Sequence, residues 1–274
     1  MDQCGIQCLE ADITDRHTLH EPLDGVDVVY NLASPSPGRA QEEFVKFNQV
    51  GLTNLLEEAH EHGTKTFVHL STLDVYGFGS GRTVGKESIP SPTDEYQRAK
   101  LEGERIVTEF GKGHPELQVR IVRAAKAVGS RDTTVVTPIL KMIERGKVTL
   151  PSGSSASMSF THPKDVAQAL LKASTSVGDW TPYQVKSFDL SVDDLARALV
   201  NAGGKGVEVK QQGMFSGRGL IAQYPAEEIK AGLTLAEEDS SKKLAFSPAF
   251  NLEKVVTEVS AWYHKEPWVT KSPE

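Results

Sequence analysis

The hydrophobic and polar positions of this chain follow two different periods in turn. VDVVYNLAS, from residue 26, is a short continuous apolar run, as expected of a strand buried on both faces of a parallel sheet. EEFVKFNQVGLTNLLEEAHEHG then carries apolar residues at helical spacing and ends at a glycine. TKTFVHLST is a second buried run. This order predicts βαβ units and an α/β fold, a doubly wound parallel sheet of the Rossmann type.

The second half of the chain continues these signals. LQVRIVRAA contains several β-branched residues and predicts a further strand, and TPILKMIERG predicts a helix. THPKDVAQALLKAS predicts a helix with Thr161 as its cap, and SFDLSVDDLARALVNAGG carries a capping box formed by Ser191 and Asp194. The last predicted helix runs from Ser240 to Tyr263.

Composition narrows the classes of partner. The 274 residues are 38% hydrophobic and 24% charged, which is enough for one large α/β domain or a domain and a half. A net charge of −7 gives no reason to expect a nucleic-acid partner, because proteins that bind nucleic acids usually carry a basic surface. No apolar run approaches the roughly 18 residues of a membrane span, and the amino terminus lacks the basic start of a secretory signal. We therefore expect a cytoplasmic protein with neither nucleic acid nor a membrane as a partner.

The cysteines and histidines predict no metal site. Cys4 and Cys8 are the only cysteines, and no further cysteine or tight histidine cluster would complete a zinc site with them. Both are interpreted as small strand residues in a reducing compartment. His60 and His62 lie near a predicted helix end, where solvation or the helix dipole accounts for them better than a metal ion does.

DEYQRAK, residues 94–100, places a tyrosine and a lysine four positions apart. On a helix, Tyr96 and Lys100 would lie on one face with their polar ends within mutual reach. A tyrosine and a lysine often occur at this spacing by chance on solvated helices. The pair therefore indicates a function only if the surrounding sequence supports one. Thr72 ends a predicted strand 24 residues earlier, where parallel sheets bind their ligands.

Five ordered segments give the pair its context. The chain resembles the extended short-chain dehydrogenase/reductase superfamily, which includes nucleotide-sugar epimerases and 3β-hydroxysteroid dehydrogenases, over nearly its whole length. The segments that carry the resemblance are NQVGLTNLLEEA, STLDVYG, EYQRAK, SFTHPKDVAQA and SSKKLAFSPAFNLEKVVTEVSAWY. Five such segments in the family's order are far harder to obtain by chance than one YxxxK.

The resemblance implies a catalytic role for three of these residues. Tyr96 would be the acid/base, because an alcohol gives up a hydride to a nicotinamide ring only when its hydroxyl proton is removed. A free phenol has a pKa of about 10, so a neighbouring cation is needed to lower it. Lys100 would lower that pKa and hold the nicotinamide ribose, while Thr72 would hydrogen-bond the reacting oxygen.

The resemblance also implies a set of cofactor contacts for NAD or NADP. Asp12 matches an acidic residue beside the adenine, although a turn aspartate explains it equally well. Asn48 matches an asparagine near the cofactor, with a helix-packing amide as the alternative. His162 and Ser71 are interpreted as structural. The full set of implied cofactor-binding residues is Asp12, Ile13, Asn31, Leu32, Ala33, Asn48, Tyr96 and Lys100.

One expected feature of a dinucleotide fold is missing from the sequence. No GxxGxxG turn occurs, although such a turn and the helix after it hold the pyrophosphate. Compared with the family, residue 1 falls just before the third strand, which predicts an N-terminally truncated Rossmann fold. Residues 5–11 would then either pair directly with residues 26–33 or be poorly held. A truncated reading frame and loss of the turn by divergence both remain open.

The carboxyl-terminal region is expected to bind the substrate. The predicted cofactor domain covers residues 1–132 with 159–178 returning to it, and a smaller α+β substrate region covers 133–158 and 179–274. RAAKAVGS departs from the family pattern, which leaves the substrate class open. Arg123, Lys126 and Arg131 could bind a phosphate, although exposed loop cations are the simpler interpretation.

Two hypotheses of function follow from these observations. The first is an NAD(P)-dependent oxidoreductase or epimerase that acts on a hydroxyl or keto group of a nucleotide sugar or a sterol-like molecule. The alternative is a non-catalytic relative or fragment that binds a nucleotide or a protein partner. By resemblance, a homodimer through helices 41–62 and 95–110 is also expected.

Overall fold

The computed structural model describes residues 5–35, 40–79, 81–178, 180–203, 206–211, 229–230, 232–236, 243–263 and 265. The helices are α1 His20–Leu23, α2 Gln41–Val45, α3 Leu52–Glu61, α4 Glu95–Gly113, α5 Val136–Glu144, α6 Pro163–Ser174, α7 Val192–Gly203 and α8 Leu252–Tyr263. The strands are β1 Val28–Asn31, β2 Thr66–Thr72, β3 Thr83–Val84, β4 Gln118–Ala124, β5 Lys126–Ala127, β6 Val148–Leu150, β7 Ser157–Thr161, β8 Tyr183–Val185, β9 Phe188–Ser191, β10 Val209–Gln211 and β11 Thr234–Leu235.

A four-stranded parallel sheet confirms the predicted α/β fold. Its strand order is β1-β2-β4-β8. β1 and β2 pair in parallel from Val28 opposite Thr66 to Asn31 opposite His69. The connection between these two strands is helical, as the alternation of the two hydrophobic periods predicted. None of the helices in the described residues is long and apolar enough to cross a bilayer.

The amino-terminal segment rules out one of the two alternatives for residues 5–11, the direct pairing with residues 26–33. Residues 5–12 form no strand and are exposed, including Ile6 and Leu9. Direct pairing with β1 is therefore wrong, because an extended segment is held in a sheet only by ladder hydrogen bonds to a neighbour. The interpretation of Cys8 as a strand residue is wrong for the same reason, and Cys4 lies outside the described residues.

The chain forms two compact units, each with its own core. The first comprises Met1–Ser71, Pro92–Val122 and Leu170–Pro182, and the second comprises Thr72–Ser91, Arg123–Ala169 and Tyr183–Glu274. These limits differ from those of the predicted cofactor-binding and substrate-binding regions. The assignment of cofactor binding to one region and substrate binding to the other stays a prediction. The cores are apolar clusters, represented by Leu52, Leu56, Phe67 and Val107 in the first unit and by Ile139, Phe160, Leu195 and Val255 in the second.

Within the described residues, the second unit contains three small sheets. β5 pairs in parallel with β7, and β7 pairs with β9 in the antiparallel sense. The other two sheets each have two parallel strands, β6 with β10 and β3 with β11. The predicted cap at the start of α7 is confirmed in part, because the Ser191 hydroxyl accepts from the Asp194 amide at 3.0 Å. The Asp194 carboxylate accepts from the same hydroxyl at 2.6 Å, whereas in a capping box it accepts from the backbone amide of the cap residue.

The last helix is shorter than predicted. Residues 244–251 are not helical and α8 begins at Leu252, while the predicted start at Ser240 lies outside the described residues. Pro248 interrupts the helical pattern, and the Asn251 side chain accepts from the Lys254 amide at 3.0 Å, which caps the helix at this point. Its end is anchored by Tyr263, whose hydroxyl donates to Glu144 at 2.7 Å.

Gly111 allows α4 to pack closely against Val119 and Trp180 in the first unit. A Cβ atom added at Gly111 would lie 2.5 Å from Val119 Cγ2 and 2.7 Å from the Trp180 ring. Ordinary van der Waals contact requires about 3.5 Å or more, so no larger side chain fits without movement. Val119 is β-branched and lies in β4, which leaves it little freedom to move.

We expect Gly111→Ala to destabilise the protein by about 1 to 2 kcal/mol. Overpacking costs about 1 to 3 kcal/mol, and the better helix propensity of alanine returns up to about 1 kcal/mol. Urea unfolding measures the difference. Gly113→Ala is the matched control, since a Cβ at Gly113 meets nothing within 4 Å. Equal stability of the two variants would contradict this account of the packing.

Candidate active site

The start of α4 positions Tyr96 and Lys100. Asp94 caps the helix by accepting from the Gln97 amide at 2.8 Å, and this bond fixes Tyr96 in the first turn. The Tyr96 ring is half-buried and meets the Phe44 ring edge-on, with the ring centroids 6.1 Å apart. Lys100 follows one helical turn later, as the sequence spacing predicted.

Lys100 is a buried cation. Only 5% of the residue is exposed, and its Nζ donates to the Leu70 carbonyl at 2.7 Å. Burial lowers the pKa of Lys100 to about 8, while the Glu104 carboxylate acts in the opposite direction. A pKa near 8 leaves the ammonium mostly protonated at pH 7, so the site holds a positive charge under ordinary conditions.

Two buried ionisable residues near Lys100 were not predicted as site residues. Glu104 follows Lys100 by four positions on α4 and accepts a short hydrogen bond from the Ser71 hydroxyl. His69, in β2, has its pKa held well below its usual range by burial and by the Lys100 charge. The i+4 spacing after Lys100 could have identified Glu104, whereas the alternation of β2 carries no comparable signal for His69.

Asn31 links the end of β1 to His69. Its Oδ1 accepts from the Ala33 amide at 3.1 Å, so its Nδ2 is the group that faces His69 Nδ1 at 3.2 Å. An amide NH₂ can only donate, which places the proton of the neutral imidazole on Nε2. Asn31 is thus a structural link, while Leu32 and Ala33 directly after it are exposed.

Asn48 lies in a π-helical turn, Lys46–Gly51, that interrupts the helix between α2 and α3. Its Oδ1 accepts from the Ser34 hydroxyl at 3.4 Å, and Ser34 follows the end of β1. Asn48 is buried, yet among the described residues its Nδ2 has no hydrogen-bond partner. Such a donor is costly to bury unpaired, and π-turns inside helices occur frequently at functional sites.

Asp12 and Ile13 lie in a turn before α1, in which Asp12 is exposed and Ile13 is half-buried against the core of the first unit. Asp12 Oδ1 accepts from the amide and the hydroxyl of Thr14, both at 2.8 Å, and these bonds lower the pKa of the carboxyl group. The carbonyl of Ile13 accepts from Asn54 Nδ2 at 3.0 Å. Asp12 therefore has the turn role that the sequence analysis considered, and its contact with adenine stays a prediction.

Thr72 belongs to the second compact unit. Its hydroxyl accepts from the Asp74 amide at 3.1 Å and so caps the short 3₁₀ turn Leu73–Tyr76. Its predicted role beside the reacting oxygen is not tested by this bond.

The interpretation of Arg123 as an exposed loop cation is wrong. Arg123 lies in β4 and is 7% exposed, and it donates to the Tyr76 hydroxyl at 2.7 Å. Gln184 donates to the same hydroxyl. A guanidinium can enter a core when hydrogen-bond acceptors meet it there, which sequence pattern alone does not reveal. Lys126 is half-buried, with its Nζ 3.5 Å from Asp74.

His162 is buried and structural, as predicted, while the expected cap at Thr161 is wrong. The ring nitrogen Nδ1 of His162 accepts from the Lys164 amide at 3.2 Å at the start of α6. Thr161 is instead the last residue of β7, and its hydroxyl donates to the Val185 carbonyl. Burial lowers the pKa of His162, against the effect of the nearby Glu258 carboxylate.

Comparison with solved structures supports the fold. RMD from Pseudomonas aeruginosa, solved with NADPH, superposes with a TM-score of 0.80 at 18% identity over 94% of this chain and 88% of that one. A UDP-glucose 4-epimerase from Thermotoga maritima, solved with UDP-glucose, gives a TM-score of 0.79 at 21% identity over 93% and 83% of the two chains.

Comparison of sequences places the chain in a family. The bovine sterol-4-alpha-carboxylate 3-dehydrogenase (decarboxylating) is 25% identical over 198 residues, which are 70% of this chain and 56% of that enzyme. The chain spans between half and about two thirds of the length of the first curated relatives it matches. A sequence model of the NAD dependent epimerase/dehydratase family matches residues 2–185, more than half of the chain. The chain therefore belongs to the NAD-dependent epimerase/dehydratase family.

Proposed function

We propose that the chain is an NAD(P)-dependent oxidoreductase or epimerase that acts on a hydroxyl or keto group of a small molecule. The observation that carries this proposal is the buried ammonium of Lys100 one helical turn after the Tyr96 phenol. Folding gains nothing from burying a lysine whose pKa is lowered, since that shift measures a cost to the folded state. A function that needs a positive charge beside a phenol accounts for this cost.

Tyr96 would hold and move the proton of the reaction. At neutral pH a phenol with a pKa of about 10 is a poor base, and a nearby cation makes its anion more accessible. Lys100 is that cation, and its surroundings exclude water, which strengthens the interaction. Tyr96 would then take the proton from an alcohol or give it to a ketone oxygen. Thr72 would hydrogen-bond the same oxygen, a role that rests on the family resemblance.

The residues present fit the nicotinamide end of the cofactor. The buried Asn48 Nδ2 is a donor that needs an acceptor, and it lies beside the carboxyl end of β1, the edge at which such sheets bind ligands. NAD or NADP, when bound, supplies the hydride acceptor or donor. Lys100 would hold the ribose, and Asp12, Ile13, Asn31, Leu32 and Ala33 stay predicted contacts. No GxxGxxG turn for the pyrophosphate occurs in this sequence.

For the substrate we propose a nucleotide sugar or a sterol-like molecule. One relative is a sterol carboxylate dehydrogenase, and the chain is also 23% identical over 269 residues to a mouse dTDP-D-glucose 4,6-dehydratase. Residues 133–158 and 179–274 are the region proposed to bind the substrate. The homodimer through helices 41–62 and 95–110 stays a prediction.

A non-catalytic nucleotide-binding protein is the second candidate. The Tyr96 and Lys100 pair favours the enzyme, since binding alone does not need an acid/base.

Fluorescence titration with NADH and with NADPH tests the proposal. We expect saturable binding that Lys100→Met weakens by about tenfold or more, because the variant keeps the apolar stem and loses the charged donor. Lys112→Met is the matched control, an exposed lysine in the last turn of the same helix. If the folded, unsubstituted chain binds neither nucleotide, the proposed cofactor site is refuted. Equal binding by the Lys100 variant would remove that residue from the site.

A further inference from the structure

His20, Glu58 and His62 bring three metal-ligand atoms together in the first unit, and no role in the proposed reaction uses them. Glu58 Oε2 lies 2.9 Å from His20 Nδ1 and 3.5 Å from His62 Nε2, and the two nitrogens are 3.2 Å apart. In a tetrahedral site with bonds of about 2.0 to 2.1 Å, neighbouring ligand atoms are about 3.3 to 3.4 Å apart. The three measured separations bracket this spacing.

The buried carboxylate supplies an independent sign of a ligand. The Glu58 side chain is 1% exposed, and its Oε2 accepts no hydrogen bond within the described residues, even though two imidazole nitrogens lie close to it. A buried carboxylate oxygen that receives no hydrogen bond lowers the stability of the folded state. A cation placed between the oxygen and the two nitrogens would satisfy all three atoms at once.

The surrounding residues hold the carboxylate in place. Arg16 donates to the other carboxylate oxygen, Oε1, and this bond turns Oε2 toward the histidines. The same guanidinium pairs with Glu57 and Glu61, each at 2.6 Å. Three carboxylates thus share one arginine, so the local charge stays negative and attracts a cation despite the guanidinium.

The chain geometry also suits a cation. Glu58 and His62 are one turn apart at the end of α3, where the last carbonyls give the helix end a partial negative charge. His20 is the first residue of α1. Its side chain is 56% exposed, so solvent can reach the remaining coordination position.

We propose that His20, Glu58 and His62 bind one divalent cation of the zinc class through two imidazole nitrogens and one carboxylate oxygen. This ligand set suits borderline metals, above all Zn²⁺, and does not suit Mg²⁺ or Ca²⁺, which take oxygen ligands. The cation ties α1 to the end of α3. This site was not predicted, and His62 was attributed to solvation or the helix dipole, because its partners lie 4 and 42 positions away and no motif joins the three.

Titration calorimetry with ZnCl₂ tests the proposal on tag-free, EDTA-treated protein. Replacing Cys4 and Cys8 by serine in every sample removes both thiols of the chain as competing ligands. We expect one Zn²⁺ per chain near pH 7, and absorption of a tetrahedral complex when Co²⁺ is used instead.

Single substitutions assign the ligands. His20→Ala and His62→Ala should each weaken Zn²⁺ binding at least about tenfold and abolish the rise in melting temperature that Zn²⁺ gives the unsubstituted chain. His60→Ala is the matched control, because its ring packs against Phe110 and His114 and pairs with Glu116. Melting in EDTA verifies that each variant is folded. Failure of the unsubstituted chain to bind Zn²⁺, or equal binding by the His20 variant, would overturn the proposal.

Discussion

Replacing Tyr96 by phenylalanine should lower turnover by about 10² to 10⁴-fold while leaving NADH binding nearly unchanged. The substitution removes one oxygen, the one that would take or give the substrate proton. The ring still fits, because the edge-on contact with Phe44 needs no hydroxyl. An effect on the rate without an effect on cofactor affinity is the signature of an interaction made at the reacting atoms.

The assay for this variant uses a panel of UDP- and dTDP-sugars and 3β-hydroxysterols with NAD and NADP. Tyr30→Phe is the matched control, since it removes a phenol of the same unit whose hydroxyl donates to Ser174 at 2.8 Å. It should retain full turnover. Unchanged turnover by the Tyr96 variant would refute its role as acid/base. Absence of turnover by the unsubstituted chain, together with saturable NADH binding, would favour the non-catalytic alternative.

The parts of the fold that hydrophobic period determines were predictable from the sequence. β1, β2 and the helix between them were expected because apolar runs and helical repeats each require a buried face. The start of α8 was not predicted, because the cap at Asn251 depends on one side-chain hydrogen bond rather than on a periodic pattern. Of the two alternatives for residues 5–11, direct pairing with residues 26–33 is wrong, since a strand needs a partner as well as a suitable sequence.

The site was predictable only where its residues share an element. Tyr96 and Lys100 lie on one helix at a fixed interval, so their spacing predicted their common face. The burial of Lys100, its bond to the Leu70 carbonyl and the neighbouring His69 depend on how α4 packs against the sheet. Asn48 likewise lies in a π-turn that no sequence pattern predicted. Within the described residues its buried Nδ2 has no hydrogen-bond partner, and no sequence feature indicated this.

The buried Lys100 predicts how stability changes with pH. In the unfolded chain its pKa returns to the ordinary value of about 10.4, whereas in the folded protein it is about 8. Between these two values the unfolded state binds more protons than the folded state, so the free energy of unfolding rises with pH. The slope is at most about 1.4 kcal/mol per pH unit, and the contribution is constant below pH 8 and above about pH 10.4.

We therefore expect the free energy of unfolding of the unsubstituted chain, relative to Lys100→Met, to increase by about 1 to 2 kcal/mol between pH 8 and about pH 9.5. Urea unfolding at a series of pH values measures it, and subtracting the variant removes the contributions of all other groups that titrate alike in both proteins. Lys112→Met, on the exposed part of the same helix, is the matched control for the loss of a lysine side chain. A pH-independent difference for Lys100→Met would mean that this lysine keeps its ordinary pKa. The charge would then be solvated, and the observation that supports Tyr96 as a base would be lost.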